Sequence, residues 1–253
     1  MTLSLQTWHE RFQKQARWTQ PLRSHLYSLA KIEQAQRVME IGCGSGAILG
    51  ELSQFTEAVV YGLDIDANYL DMAMRNTRGT LLLQADAHYL PLAPSSFDLI
   101  LCHFLLLWVN DPDRVLKEMA RITRPGGYVC AMAEPDYGAR IDFPDSLTNL
   151  GQNQTHALRL QGANPEIGRQ LRGLLTKAGL VEVVAGVLGG QWKLPFDDEE
   201  WESEWEVLEA DLTNFPDFQA TKDELKARDQ YAWASGERIL FVPTFYAWGK
   251  VPG

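Results

Sequence analysis

Apolar positions along this chain follow two periods that take turns. Between residues 7 and 33 they recur at helical spacing in two pieces. Trp8, Phe12 and Ala16 share one face after Thr7 and Glu10, which stand at capping-box distance, and Thr19 with Pro21 predicts a second helix bearing Leu22, Leu26, Leu29 and Ala30. From residue 37 onward short β-like runs are each followed by a helical one. "RVMEIG" precedes "AILGELSQF", "AVVYGLD" precedes "ANYLDMAMRN" with Asp66 as its cap, and "FDLILC" precedes "DPDRVLKEMARIT" with Asp111 and Pro112 at its start. "GYVCAMAE" predicts a further strand after Arg124-Pro-Gly-Gly. "NPEIGRQLRGLLTKAG" predicts a helix capped by Asn164 and stopped at Gly179. Strands alternating with helices in this way require a mainly parallel sheet covered on both faces, an α/β fold.

After residue 180 the pattern changes. "LVEVVAGVL" predicts a strand, residues 197–235 are mostly helical, and "RILFVPTFYAW" predicts a last strand, so the helical piece is an insertion between two strands. No repeat or low-complexity linker interrupts the chain. The expectation is a single domain over 1–253, with N-terminal helices over 1–35, a cofactor-binding core over 36–180 and a helical insertion over 190–238.

The chain has 253 residues and a net charge of -10, with no basic run, which argues against a nucleic acid or an anionic membrane as partner. Cys43, Cys102 and Cys130 have neither disulfide-framework nor zinc spacing, so no metal is expected. No signal peptide is visible, and the longest mainly apolar run, Leu99 to Val109, is too short to span a bilayer. The expected location is the cytoplasm.

The chemistry centres on "VMEIGCGSGA". Gly42, Gly44 and Ala47 fit the dinucleotide fingerprint G-x-G-x-x-G/A, whereas Gly42, Gly44 and Gly46 fit G-x-G-x-G, so the glycines alone leave the ligand open. Glu40, two residues earlier, is either a structural carboxylate bonded to backbone amides or a residue that inclines the choice. A carboxylate beside a pyrophosphate is repelled, while a phosphate-free ligand carrying an ammonium and a sulfonium is attracted, which favours S-adenosylmethionine over NAD. Asp64 ends the second strand, where a carboxylate accepts from both hydroxyls of a ribose, and Asp86 with Ala87 ends the third, near where an adenine edge would lie.

The ordered set "VMEIGCGSG", "YGLDID", "QADAHYLPLAPSSFDLIL" and "RITRPGGYV" resembles the class I S-adenosylmethionine-dependent methyltransferases, in particular small-molecule enzymes similar to those of ubiquinone and menaquinone biosynthesis. The resemblance is clear over 36–133 and weaker to 180. It implies a Rossmann-like seven-stranded sheet in the order 3-2-1-4-5-7-6 with the last strand antiparallel. It further implies Glu40, Gly42, Gly44 and Gly46 near the methionine part of the cofactor, Asp64 on the ribose, Ile65 on the adenine, Asp86 and Ala87 at the adenine edge and His103 near the methionine end. Arg17, Trp18 and Thr19, in "RWTQPLR", are implied to cover the cofactor.

Methyl transfer from a sulfonium is an in-line displacement that needs alignment, and a base only where the acceptor arrives protonated. His103 is the candidate base, since an imidazole titrates near neutral pH. Glu134, Asp136 and Tyr137 follow the fifth strand and reach the same sheet edge, as substrate contacts or as solvated loop residues. His156 reads as an ordinary surface or packed histidine. The insertion, with Trp192, Trp201, Trp205 and Phe215 among many acids, reads as a packed amphipathic helix or as a lid over an apolar or aromatic substrate. The expected activity is S-adenosylmethionine-dependent methylation of a small, apolar or aromatic metabolite, with oxygen the first choice of acceptor and carbon and nitrogen open. The alternatives are a NAD-dependent oxidoreductase and a catalytically inactive S-adenosylmethionine-binding protein.

Overall fold

The computed structural model describes residues 3–190, 192 and 197–253. Residues 193–196 of the insertion lie outside the described residues. In chain order the elements are α1 (Leu5–Leu29), β1 (Arg37–Ile41), α2 (Leu49–Phe55), β2 (Val59–Asp64), α3 (Ala67–Asn76), β3 (Leu81–Gln84), β4 (Phe97–Cys102), α4 (Pro112–Ile122), β5 (Thr123–Pro135), β6 (Ile141–Phe143), α5 (Thr148–Leu160), α6 (Leu171–Lys177), β7 (Val181–Leu188), α7 (Asp198–Asp211), α8 (Pro216–Ala234), β8 (Ile239–Phe241) and β9 (Thr244–Lys250).

The main sheet runs β3-β2-β1-β4-β5-β9-β7. The first five strands are parallel, and β9 is antiparallel to both β5 and β7. Counting only main-sheet strands, β7 is the sixth and β9 the seventh, which gives the expected 3-2-1-4-5-7-6 order with helices α7 and α8 inserted between the last two.

Residue alternation along the strands sorts the core into two layers. Met39, Ile41, Ile100 and Val129 pack with α4 and α6 on one face. Val38, Val60, Leu99 and Met132 pack with Leu26 and Tyr27 of α1 and Leu49 and Leu52 of α2 on the other. Glu40 shares the Val38 face, so its carboxylate lies beneath α1. A third apolar cluster joins Leu147, Leu150 and Ala157 to Trp201, Trp205 and Leu208 of α7 and Phe218 of α8, away from the sheet.

Four local expectations change. The N-terminal segment is one helix of 25 residues with Pro21 inside it, and Ser4 caps it by accepting from Thr7 N, so Thr7 and Glu10 form no capping box. The helix expected from Asn164 begins at Leu171, and Asn164 Oδ1 accepts from Glu166 N at 3.2 Å in a turn before it. The last predicted strand divides at Val242-Pro243: β8 leaves the main sheet to pair with β6, and only β9 continues alongside β5. "RPGG" lies inside β5, which runs from Thr123 with a register shift against β4, instead of standing before the strand. By contrast Asp66 caps α3 and Asp111 caps α4, each accepting from a first-turn N–H.

Candidate functional site

The loop after β1 is built by its glycines. Gly42 and Gly46 have φ of 71° and 80°, a region side chains avoid, and a Cβ at Gly42 would meet Leu105 Cδ1 at 2.7 Å. The loop is pinned to β2: Gly42 N and Cys43 N donate to Leu63 O, and Gly44 N donates to Asp64 Oδ2 at 2.8 Å. Asp64 Oδ1 accepts from Asp66 N at 3.0 Å. Each carboxylate oxygen thus holds one backbone donor and keeps a further lone pair toward the cleft.

Glu40 is 3% exposed, and its Oε2 has no hydrogen-bond partner among the described residues. Burial pushes its carboxyl well above the usual range. The guanidinium of Arg23 pulls it back, and the nearby charges of Asp64 and Glu51 raise it. A cation brought to Oε2 reverses the shift and supplies the missing partner. At the adjoining strand ends Ile65 is 66% exposed, Ala87 is buried, and Asp86 accepts from His88 N at 2.9 Å and lies 2.6 Å from His88 Nδ1. Gln84 Nε2 donates to Ile65 O, which draws the ends of β2 and β3 together. The residues singled out at Glu40, Gly42, Gly44, Gly46, Asp64, Ile65, Asp86 and Ala87 therefore line the carboxyl ends of three neighbouring strands.

α1 roofs this cleft. His9 Nδ1 lies 2.7 Å from Ser45 Oγ, Phe12 packs over Gly44, and Thr19 Oγ1 lies 2.8 Å from His103 Nε2. At 3.6 residues per turn the neighbours of Thr19 point elsewhere. Trp18 turns to α7, where its Nε1 donates to Glu200, and Arg17 is exposed to solvent. Of the three residues expected to cover the cofactor, only Thr19 faces the cleft. His9, Phe12 and Arg23 join it instead, and the spacing 9, 12, 16, 19, 23 was the sequence signal that marked this face.

The hydroxyl of Thr19 donates to Gln15 O at 3.0 Å and accepts from Arg23 Nη1. The neighbouring imidazole of His103 is thereby assigned as the Nε2–H tautomer, donating into Thr19 Oγ1, with a lone pair on Nδ1. Burial and then the charge of Arg23 hold His103 well below its ordinary pKa, so it is neutral at pH 7.

Two acids after β5 serve the framework. Glu134 is fully buried and accepts from Leu105, Leu106 and Leu107 N, closing the turn after β4; burial pushes its carboxyl up to about 8 against those three donors. Asp136 is buried and takes two hydrogen bonds from Arg169. Neither is solvated. Tyr137 faces a cavity of about 790 Å³ between α1, the end of β5, β8 and the helical insertion, and Thr19 and Phe104 line that cavity where it adjoins His103. Trp18, Trp192, Trp201 and Trp205 also line it. His156 is exposed and set edge-on to Phe215, 5.6 Å between ring centres, outside that lining.

A family model described as a methyltransferase domain matches residues 39–131, which hold the glycine loop, Asp64, Asp86 and His103. Over this segment the chain is similar to methyltransferases. The chain is 31% identical over 170 residues to an uncharacterized methyltransferase of Schizosaccharomyces pombe, across 62% of this chain and 60% of that one. It is 30% identical over 163 residues to the fatty-acid O-methyltransferase of Mycolicibacterium smegmatis, across 63% of this chain and 58% of the relative. The chain thus spans less than two thirds of the length of either. In fold it is similar to Haemonchus contortus phosphoethanolamine N-methyltransferase 2, solved with phosphomonomethylethanolamine and S-adenosylhomocysteine. That likeness has a TM-score of 0.61 at 18% identity and covers 92% of this chain and 53% of the other.

Proposed function

We propose that this protein moves a methyl group from S-adenosylmethionine to an oxygen of a small metabolite with an apolar or aromatic body. When bound, the cofactor supplies a methyl group already activated on a sulfonium. The observation that carries the reading is the buried Glu40 beside the glycine loop, with Oε2 unpartnered among the described residues: it suits an ammonium and repels a pyrophosphate. Asp64 takes the ribose hydroxyls, Ile65 packs on the adenine, and Asp86 with Ala87 borders its edge. The aromatic cavity beyond Thr19 and Phe104 holds the acceptor. The M. smegmatis relative, by its name, also methylates oxygen.

The cofactor reading is tested by titrating the chain with S-adenosylhomocysteine. Asp64→Ala is expected to weaken binding by about 10- to 100-fold, because it removes a ribose acceptor and releases Gly44 N together. Unchanged affinity would reject the ribose role, and retention of NAD in place of S-adenosylhomocysteine would reject the reading itself.

His103 is the proposed proton acceptor, through Nδ1. Its pKa is depressed, so it stays deprotonated at mildly acid pH. The kcat is therefore expected to hold level as pH falls from 8 past the ordinary imidazole value of about 6.5 and to drop only below it. In His103→Ala kcat is expected to fall by about 10²-fold or more. An acid limb centred at or above 6.5, or an undiminished kcat in the variant, removes His103 from this role.

A further inference from the structure

Among the described residues, hydrogen bonding around the large cavity closes at every lining cation but one. Arg140 donates to Asp142 and Gln154, and Arg238 donates to Asp142, Asp229 and two backbone carbonyls. The lining carboxylates also hold protein donors: Asp229 accepts from Trp201 and Trp205 Nε1, Asp197 from Glu200 N, and Glu200 from Trp18 Nε1. Arg11 differs. It is 6% exposed and donates from Nη2 to Glu204 at 2.5 Å, yet its Nε and Nη1 have no partner among the described residues. The Trp18 ring covers the guanidinium at 4.8 Å. A guanidinium cannot shed its charge, so idle buried N–H groups call for an acceptor.

Two neutral donors stand on the same cavity wall. Gln15 lies one turn along α1 from Arg11, and neither its amide nor the phenol of Tyr137 hydrogen-bonds to another described residue. Burial, reinforced by Glu204, pushes Tyr137 up to about 12, so its hydroxyl keeps its proton and can donate.

We propose that the cavity recognises a substrate bearing a carboxylate, held by Arg11 with Tyr137 and Gln15, and that this carboxylate anchors the substrate while a different atom accepts the methyl group. The proposal rests on the methyltransferase reading of the neighbouring cleft. Arg11 precedes Thr19 by eight residues on α1, about 12 Å at 1.5 Å per residue, and Thr19 touches His103. The substrate is therefore an amphipathic monocarboxylic acid whose acceptor atom lies roughly that distance from its anionic end. Glu204 limits the site to a single negative charge, since a dianion would sit against its carboxylate.

The test is isothermal titration of the full chain, with and without saturating S-adenosylhomocysteine. The probes are ω-phenylalkanoates from phenylacetate to 6-phenylhexanoate and the alcohols and amines of equal length. The carboxylates are expected to bind about tenfold or more tightly than either counterpart, and Arg11→Met is expected to abolish that ratio while leaving the alcohols unchanged. Glu204→Gln removes the opposing charge while its amide oxygen can still accept from Nη2, so it is expected to tighten the carboxylates. Carboxylates that bind no better than alcohols or amines, or not at all, overturn the proposal, as does a ratio that persists in Arg11→Met. Should Arg11→Met fail to fold, an unchanged or weakened carboxylate affinity in Glu204→Gln overturns it. Failure to bind S-adenosylhomocysteine beside intact carboxylate binding counts against the methyltransferase reading alone.

Discussion

Arg23→Met is expected to destabilise the protein by about 3–5 kcal/mol in chemical denaturation and to weaken S-adenosylhomocysteine binding as well. Arg23 is 1% exposed, and its guanidinium reaches four acceptor atoms on three residues from the middle of α1. It pairs with both oxygens of Glu51, donates to Ala16 O at 2.6 Å, and donates to Thr19 Oγ1. It is also the positive charge that draws the Glu40 carboxyl back down. Methionine fills much the same volume, so the loss is electrostatic: Glu51 loses its cation, and Glu40 is left buried with no opposing charge. The pH dependence separates this from a packing defect. Without Arg23 the folded-state pKa of Glu40 rises further above its already raised wild-type value, so the added deficit is present only above that wild-type folded-state pKa and fades as pH falls through it. A deficit that stays constant from pH 7.5 to 4.5, or one under about 1 kcal/mol, would remove Arg23 from this role.

That residue also marks where reading the sequence stops. The alternation of strand and helix, the glycine loop, the position of Asp64 and the caps at Asp66 and Asp111 are local signals, and each lies where the pattern places it. Arg23 was not legible because its partner Glu51 is 28 residues away, and burial of a charge is set by what packs over it. The continuity of α1 through Pro21 has a similar cause. The carbonyl that proline leaves without a donor belongs to exposed Arg17, where solvent can satisfy it, while Thr19 and Arg23 tie both sides of the break to the core. Glu134 could be read only as an acid near the site, since nothing in its own stretch reveals that three N–H groups of residues 105–107 converge on it. The division of the last strand was foreshadowed by Pro243, which has no N–H for a ladder, although the departure of Ile239–Phe241 to pair with Ile141–Phe143 is a tertiary choice.

Arg238→Met is expected to cost about 3–5 kcal/mol, with the loss concentrated in the helical insertion. Arg238 is buried where α8 meets β8. It donates to Asp229 Oδ1 at 2.6 Å and Asp142 Oδ1 at 2.7 Å, and caps the carbonyls of Phe143 and Ile239. Asp229 in turn accepts both indole N–H groups of Trp201 and Trp205 at 2.6 and 2.9 Å, and Asp142 accepts two bonds from Arg140. One guanidinium thus ties α7 and α8 to the β6–β8 ribbon. Without it Asp229 keeps two neutral donors but no cation, a buried carboxylate that the insertion can relieve only by opening to water. Hydrogen exchange is therefore expected to quicken over Asp198–Asp211 and Pro216–Ala234 while β1, β4 and β5 stay protected, because few contacts join the third apolar cluster to the sheet. Adding Asp229→Asn should restore part of the loss, since the amide oxygen still accepts from an indole and no unpaired charge remains. A uniform rise in exchange across sheet and insertion would instead make Arg238 a member of one cooperative core. Recovery in the double variant together with local exchange would show that the cavity wall is a separately stabilised unit, able to vary its substrate contacts without disturbing the glycine loop.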